Sequence, residues 1–266
     1  MTTVHTLASG SSGNAALVSC GSTHLLVDAG ISCRRITAGL ASLGLGLDDL
    51  DALFITHTHS DHIAGLQTLL KKSCFPVISS GRVGRELAYR LAGLEARFQE
   101  IELCKRFQIG CMTATAFPTS HDAPGSCGYR FDGVKGSAGI LTDTGYVTQE
   151  AAEILPGVDL AVLECNHDVE ALRSGPYPYY LKKRILGSQG HLSNEDAARF
   201  AVTLAKAGAT EIVLAHLSKE NNTPAMALNA VGSALSAAEL SAVLSVAPRD
   251  CLSEAYPAVR RVVCRR

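Results

Sequence analysis

Thr56-His57-Thr58-His59-Ser60-Asp61-His62 packs three histidines and an aspartate into six positions, His57 to His62. Only 9 of the 266 residues are histidine, and in a shuffled chain of this composition H-x-H-x-D-H turns up by accident roughly once in two thousand trials. Neutral imidazoles and a carboxylate at such close spacing are ligands of a divalent transition metal. The run follows the apolar segment 51–55, read as a strand, and precedes a helical pattern over 63–70. Two side chains at i and i+2 of an extended segment point the same way, so His57 and His59 can share one metal. Asp61 and His62 fall where the chain turns into the helix and aim elsewhere. That geometry reads as two adjacent metals.

Away from this motif, the pattern predicts short strands over 4–8, 15–19 and 23–28, separated by glycine-rich turns. Ser32 suits the N-cap of a helix reaching about residue 43, ahead of Gly44. Further strands are expected at 76–79, 113–117, 128–131, 138–142, 158–164 and 211–215. Helices are expected around 82–91, over 194–207 behind a Ser193 cap, and after Thr223-Pro224. Strands dominate the first half and alternate with helices in the second, without a low-complexity linker. A layered α/β sandwich fits this order better than a doubly wound sheet, and residues 1–266 are read as a single domain. Gly10, Gly13, Asp28, His57, His121, Asp143 and His216 all fall at strand ends or in the loops just after. Alone, a histidine after a strand is more often a hydrogen-bonded structural residue than a ligand. Joined to the motif, His121, Asp143 and His216 supply the seven ligands of a two-metal hydrolytic site.

Composition sets outer bounds. A 47% hydrophobic content suffices for a large core, and no apolar stretch has the length to span a bilayer. The start, Met-Thr-Thr-Val-His-Thr-Leu, has no charged region followed by an apolar one, so no export signal is expected and a cytoplasmic location is. Nine cysteines, an odd count without a C-x-x-C pair, argue against a disulfide framework and against a structural zinc site. Most read as small buried apolar groups. The net charge of −1 excludes a strongly basic nucleic-acid binder, so a phosphate-rich partner must meet local charge. Lys182-Lys183-Arg184 is the leading cluster. Lys71-Lys72, Arg34-Arg35 and the end from Arg260-Arg261 to Arg265-Arg266 read as ordinary solvated faces.

The chain resembles the metallo-β-lactamase superfamily in Leu26-Val27-Asp28-Ala29-Gly30, in Thr56 to His62, and in His121, Asp143 and His216, which stand in the family's order. It is most similar to the YycJ/WalJ-like (VicX-like) branch. The segments carrying this are Ala8-Ser9-Gly10-Ser11-Ser12-Gly13-Asn14, Thr119-Ser120-His121-Asp122-Ala123, Thr142-Asp143-Thr144-Gly145-Tyr146, Glu164-Cys165-Asn166-His167-Asp168, Gly175-Pro176-Tyr177-Pro178, Gly190-His191-Leu192-Ser193-Asn194 and Ala215-His216-Leu217-Ser218-Lys219-Glu220-Asn221-Asn222. The resemblance implies an αββα four-layer sandwich. It also implies that His57, His59 and His121 bind one metal, that Asp61, His62 and His216 bind the other, and that Asp143 bridges them. A water shared by the metals is then the nucleophile. Zinc, manganese and iron all suit a set made only of nitrogen and oxygen ligands. Asp28 is expected to orient the ligand loop from behind, although a turn aspartate would occupy the same place.

Catalysis is expected to depend on Asp61 and on His191. In nuclease branches of the superfamily a histidine in a similar Gly-His-x-Ser context stabilises the scissile phosphate or protonates the leaving group. His191 would otherwise flank the helix and donate to a backbone carbonyl. The loop 9–14, with Ser11 and Asn14, is expected to meet substrate phosphate through backbone N–H groups, or else to be only a tight hairpin turn. Lys182, Lys183 and Arg184 are expected on the nucleic acid backbone. His167 receives no role, and His5 and His24 read as structural or solvated.

Branch membership implies a dinuclear metal-dependent phosphodiesterase, a 5′→3′ DNA exonuclease of DNA repair, with DNA as partner and no membrane. The 73 positions from Asp143 to His216 leave no room for the large inserted domain of the RNA-processing β-CASP branch. A thioester or lactone hydrolase would share the metal motif but leave 190–194 and the basic cluster without purpose. A non-catalytic signalling partner would not need a complete ligand set.

Overall fold

Residues alternate along the strands between two apolar environments, and this period of two dictates the layering. In Thr23–Val27, Leu25 and Val27 face one cluster and Leu26 another. In Glu211–Ala215, Val213 and Ala215 face the first of these clusters, while Ile212 and Leu214 face a third. Strands that are apolar on both faces must be covered on both.

The computed structural model describes residues 1–260, so Cys264 and most of the basic end lie outside the described residues. Within them the strands are β1 (Thr2–Ala8), β2 (Ala15–Cys20), β3 (Thr23–Val27), β4 (Ala52–Phe54), β5 (Val77–Ser79), β6 (Phe98–Glu100), β7 (Arg106–Ile109), β8 (Met112–Pro118), β9 (Cys127–Gly133), β10 (Gly136–Leu141), β11 (Leu160–Glu164), β12 (Glu211–Ala215), β13 (Val243–Val246) and β14 (Tyr256–Ala258). They form two seven-stranded sheets, ordered β14-β1-β2-β3-β4-β5-β6 and β13-β12-β11-β10-β9-β8-β7. Both follow one plan. The runs β14-β1-β2-β3 and β7-β8-β9-β10 pair antiparallel, and each sheet then continues with parallel strands.

The sheets pack face to face over a central cluster that includes Val18, Phe54, Tyr129, Phe131 and Val162. Helices Cys33–Ser42 and Leu66–Leu70 cover the first sheet through Ile36, Leu40 and Leu66. Helices Asn194–Lys206 and Pro224–Ala237 cover the second through Phe200, Leu204 and Val231. Three apolar interfaces thus separate four layers, the αββα sandwich. The core also reaches the loops above it. Tyr129 Oη and Ser79 Oγ both donate to the Ile55 carbonyl at 2.6 Å, which pins the end of the strand that delivers Thr56 to His62.

Several expectations need correction. The pattern over 63–70 is two short helices, Ser60–Ile63 and Leu66–Leu70, interrupted at Gly65. A Cβ at Gly65 would lie 2.2 Å from the Ile31 carbonyl oxygen, so the chain bends there to pass a neighbouring loop. Edge strands β6, β7, β13 and β14 and the helices Gln149–Ile154, Val169–Ser174 and Tyr179–Ile185 were not foreseen. Of the cysteines, Cys20, Cys33, Cys127 and Cys165 are buried, but Cys74, Cys104, Cys111 and Cys251 are exposed, because the latter sit in turns outside the layers. Among the described residues no helix is long and apolar enough to cross a membrane.

Candidate metal centre

The chemistry-bearing residues leave the ends of strands from both sheets. Asp28 follows β3, His57 to His62 follow β4, His121 follows β8, Asp143 follows β10, Glu164 ends β11 and His216 follows β12. Asp28, Asp143 and His216 adopt left-handed backbone, with φ of 61°, 57° and 56°. That conformation costs a residue with a side chain on the order of 1 kcal/mol, and such strain gathers at functional sites. The loops are also knitted together at short range. Asn14 N donates to the Asp61 carbonyl and Ala29 N to the His62 carbonyl, each at 2.8 Å. A Cβ at Gly30 would stand 1.7 Å from the Asp61 carbonyl oxygen, so only glycine allows the two loops to meet.

Four of the imidazoles are tethered through Nδ1. Thr56 Oγ1 donates to Asp28 Oδ2 at 2.8 Å, so its lone pairs remain to accept from His57 Nδ1 at 3.0 Å. His62 Nδ1 donates to Asp28 Oδ2 at 2.7 Å, His121 Nδ1 to the Gly190 carbonyl at 3.0 Å, and His216 Nδ1 to Glu164 Oε1 at 3.1 Å. Each tether fixes the ring and leaves Nε2 to face inward, the arrangement that holds a histidine ready to bind a metal. His59 differs. Its Nδ1 lies 3.2 Å from His121 Nε2, and its Nε2 lies 3.4 Å from Asp122 Oδ1.

The inward-facing atoms converge. Ligand atoms of His57, His59 and His121 all lie within 4.8 Å of one another, and so do those of Asp61, His62 and His216. Asp143 stands between the two groups. Its Oδ2 is 3.2 Å from His62 Nε2, and its Oδ1 is 3.6 Å from His216 Nε2 and 3.8 Å from His121 Nε2. The buried His57 Nε2 has no hydrogen-bond partner, an arrangement that costs free energy unless a ligand meets it. The donor set and this unpartnered nitrogen fit divalent metal ions.

Burial, reinforced by the charge of His62, holds His57 well below the ordinary histidine value and keeps it neutral, as a ligand must be. Burial also opposes charge on His216, yet Asp143, Asp61 and Glu164 push it up to about 10. Glu164 is wholly buried, which favours its neutral form, but His191 and His216 more than offset this and hold it at about 2. The centre is therefore a concentration of buried carboxylate charge that attracts cations.

Glu164 is the residue that sequence reasoning missed. Its Oε1 accepts from His191 Nδ1 at 2.7 Å and from His216 Nδ1 at 3.1 Å. Its Oε2 accepts from the backbone N–H of Thr144 at 2.9 Å and of Leu192 at 3.3 Å. The available signal was a carboxylate closing an otherwise apolar strand, Leu-Ala-Val-Leu-Glu.

A pocket of about 250 Å³ opens over the cluster, walled in part by Ser11, His59, Asp61, Arg184, His191 and Ser218. With Nδ1 held by Glu164, His191 keeps Nε2 for this pocket. Ser11 and Arg184 therefore stand where substrate contacts were expected, and Arg184 Nε donates to Asp122 Oδ2 at 2.5 Å. Asn14, Lys182 and Lys183 do not line the pocket. The Asn14 side chain is buried. It accepts from Gly10 N at 2.8 Å and its Nδ2 lies 3.0 Å from His62 Nε2, so it fastens the loop beside the cluster. Lys182 Nζ donates to the Arg173 carbonyl at 2.7 Å, and Lys183 projects from the outer face of its helix. Asp28 stays out of the cluster and holds His62 and Thr56 N. His167 is buried without a hydrogen-bond partner for either ring nitrogen, His5 is half-buried, and His24 Nδ1 pairs with Ser19 Oγ.

The family model described as Beta-lactamase superfamily domain matches residues 23–217, and the chain belongs to the metallo-β-lactamase superfamily. Within it the chain is WalJ/YycJ-like. It is 40% identical over 237 residues to exodeoxyribonuclease WalJ of Streptococcus pneumoniae serotype 2 (strain D39 / NCTC 7466), covering 88% of each chain. It is 36% identical over 230 residues to exodeoxyribonuclease YycJ of Bacillus anthracis, covering 86% of this chain and 87% of that one. The crystal structure of the metallo-β-lactamase-fold protein YhfI from Bacillus subtilis matches with a TM-score of 0.72 at 18% identity, over 96% of this chain and 100% of that one, a likeness of fold.

Proposed function

We propose that the protein is a dinuclear metal-dependent phosphodiesterase that degrades DNA exonucleolytically in the 5′→3′ direction, with the whole chain acting as one domain. The observation that carries this reading is the Asp143 carboxylate, set between two groups of imidazoles within 4 Å of His62, His121 and His216. His57, His59 and His121 would hold one cation, Asp61, His62 and His216 the other, with Asp143 shared. Zinc, manganese and iron suit these donors. Bound there, two divalent cations supply Lewis acidity toward a phosphodiester and lower the pKa of water.

The chain's own residues do the rest. Asp28 locks His62 by accepting from Nδ1, and Glu164 does the same for His216. Glu164 also orients His191, which lines the pocket and would donate through Nε2 to a phosphate oxygen or to the leaving oxygen. Arg184 adds positive charge at the wall, and Ser11 offers a hydroxyl at the rim. The names of the two relatives support DNA as substrate. The test is hydrolysis of end-labelled duplex DNA by protein loaded with zinc or manganese, beside Asp61→Asn. Release of nucleotides from the 5′ end by the wild type and not by the variant is expected. Hydrolysis of a thioester panel without any cleavage of DNA would refute the reading.

A further inference from the structure

Three large apolar side chains exposed to solvent, Tyr179 (81%), Tyr180 (73%) and Leu186 (43%), belong to the short helix Tyr179–Ile185 and its C-cap. The inner face of that helix walls the pocket through Leu181, Arg184 and Ile185, with Tyr177 just ahead of it. Side chains four apart share a helix face, so Tyr180 lies beside Arg184 and Tyr179 beside Lys183. Each exposed ring therefore neighbours a cation, one at the pocket mouth and one a step outward. Lys183 makes no hydrogen bond or ion pair among the described residues. Pro178 caps the helix and Lys182 ties it to the Arg173 carbonyl, so the rings sit on a fixed base.

The pocket, about 250 Å³, is smaller than the ~300–1,000 Å³ of sites that enclose a drug-sized ligand. It has room for the end of a strand, and the adjoining nucleotides must cross the rim. Exposed tyrosine faces interleaved with cations are what single-stranded nucleic acid requires, because every base has a π-face and every linkage a charge. A protein partner would use the rings but would not call for the unpaired Lys183 beside them.

Resting on the exonuclease reading, we propose that Tyr179 and Tyr180 form a stacking platform for unpaired bases of the DNA strand whose end enters the pocket, with Lys183 on the intervening phosphate. The test compares the metal-loaded wild type with the Tyr179→Ala/Tyr180→Ala double variant on two 5′-overhang substrates. One carries natural bases in the overhang and the other abasic sites. On the natural strand the double variant should raise KM by roughly fivefold or more for each base unstacked. The abasic strand should raise the wild-type KM similarly and the variant's KM no further, and phenylalanine at both positions should restore the wild-type value. The melting temperature should not move, because both rings are exposed. A double variant that still prefers the natural strand as strongly as the wild type does would overturn the platform. A wild type that cleaves neither strand would overturn the exonuclease reading itself, and the platform with it.

Discussion

Glu164→Gln keeps the volume of a wholly buried side chain and removes its charge. The carboxylate faces four donors, the Nδ1–H of His191 and His216 on one oxygen and the backbone N–H of Thr144 and Leu192 on the other. Glutamine offers one acceptor oxygen and one NH2. Whichever way the amide turns, two of the four donors meet another donor. Losing hydrogen bonds to a charged acceptor costs about 1.5–3 kcal/mol each when the groups stay buried. Because the loops can relax, a net loss at the lower end of the two-bond sum, about 3 kcal/mol, is expected. For a chain of this size that lowers the melting temperature by roughly 6–12 °C. Turnover and metal affinity should fall about 10–100-fold, the usual effect of removing a partner that orients a ligand. Calorimetry, metal titration and DNA hydrolysis measure these three quantities on one preparation. A variant with unchanged turnover and unchanged metal affinity would show that His191 and His216 do not depend on Glu164 for their orientation.

Elemental analysis of metal-loaded protein should approach two divalent ions per chain, and chelation should lower the melting temperature, since a ligand at about a hundred times its Kd contributes about 2.7 kcal/mol. Saturation at one ion, unchanged in His216→Ala, would exclude the two-site assignment. His191→Ala should lower turnover about a hundredfold while leaving metal content intact, with a smaller loss on substrates with good leaving groups. Full activity on DNA would make His191 structural. Gly30→Ala forces a Cβ into the Asp61 carbonyl oxygen and should destabilise the protein by several kcal/mol, about the largest effect of a single substitution. A melting temperature within 2 °C of wild type would mean that the loops part at little cost.

The strand ends near His57, His121, Asp143 and His216 were legible because apolar runs of strand length give way within three residues to a side chain of a type that can bind a metal. Four other features were not legible, each for a physical reason. Glu164 acquires meaning only when its two partners arrive, 27 and 52 positions further along the chain. The cluster Lys182-Lys183-Arg184 splits because consecutive residues on a helix point about 100° apart, and which one faces the pocket depends on how the helix docks. Edge strands such as β6 and β13 are short and half exposed, so neither their hydrophobicity nor their period stands out. The part of Asn14 was hidden because a glycine- and serine-rich loop looks alike in sequence whether it offers backbone N–H groups to a phosphate or is fastened by its own buried side chain.

Thr2 pairs with Ala258, so the first sheet is completed only after 256 further residues have been synthesised. A nascent chain that has cleared the ribosome through β6 already carries His57, His59, Asp61 and His62, but it has no second sheet to cover its apolar face. His121, Asp143 and His216 follow in turn, and the seventh strand of the first sheet comes after all of them. At about 5–20 residues per second, the 201 positions from His57 to Ala258 take roughly 10–40 s to appear. Hydrolytic capacity and a closed core are thus acquired together, only after β12 and β14 have emerged, and a chain cut short before β12 has no competent centre with which to damage nucleic acid.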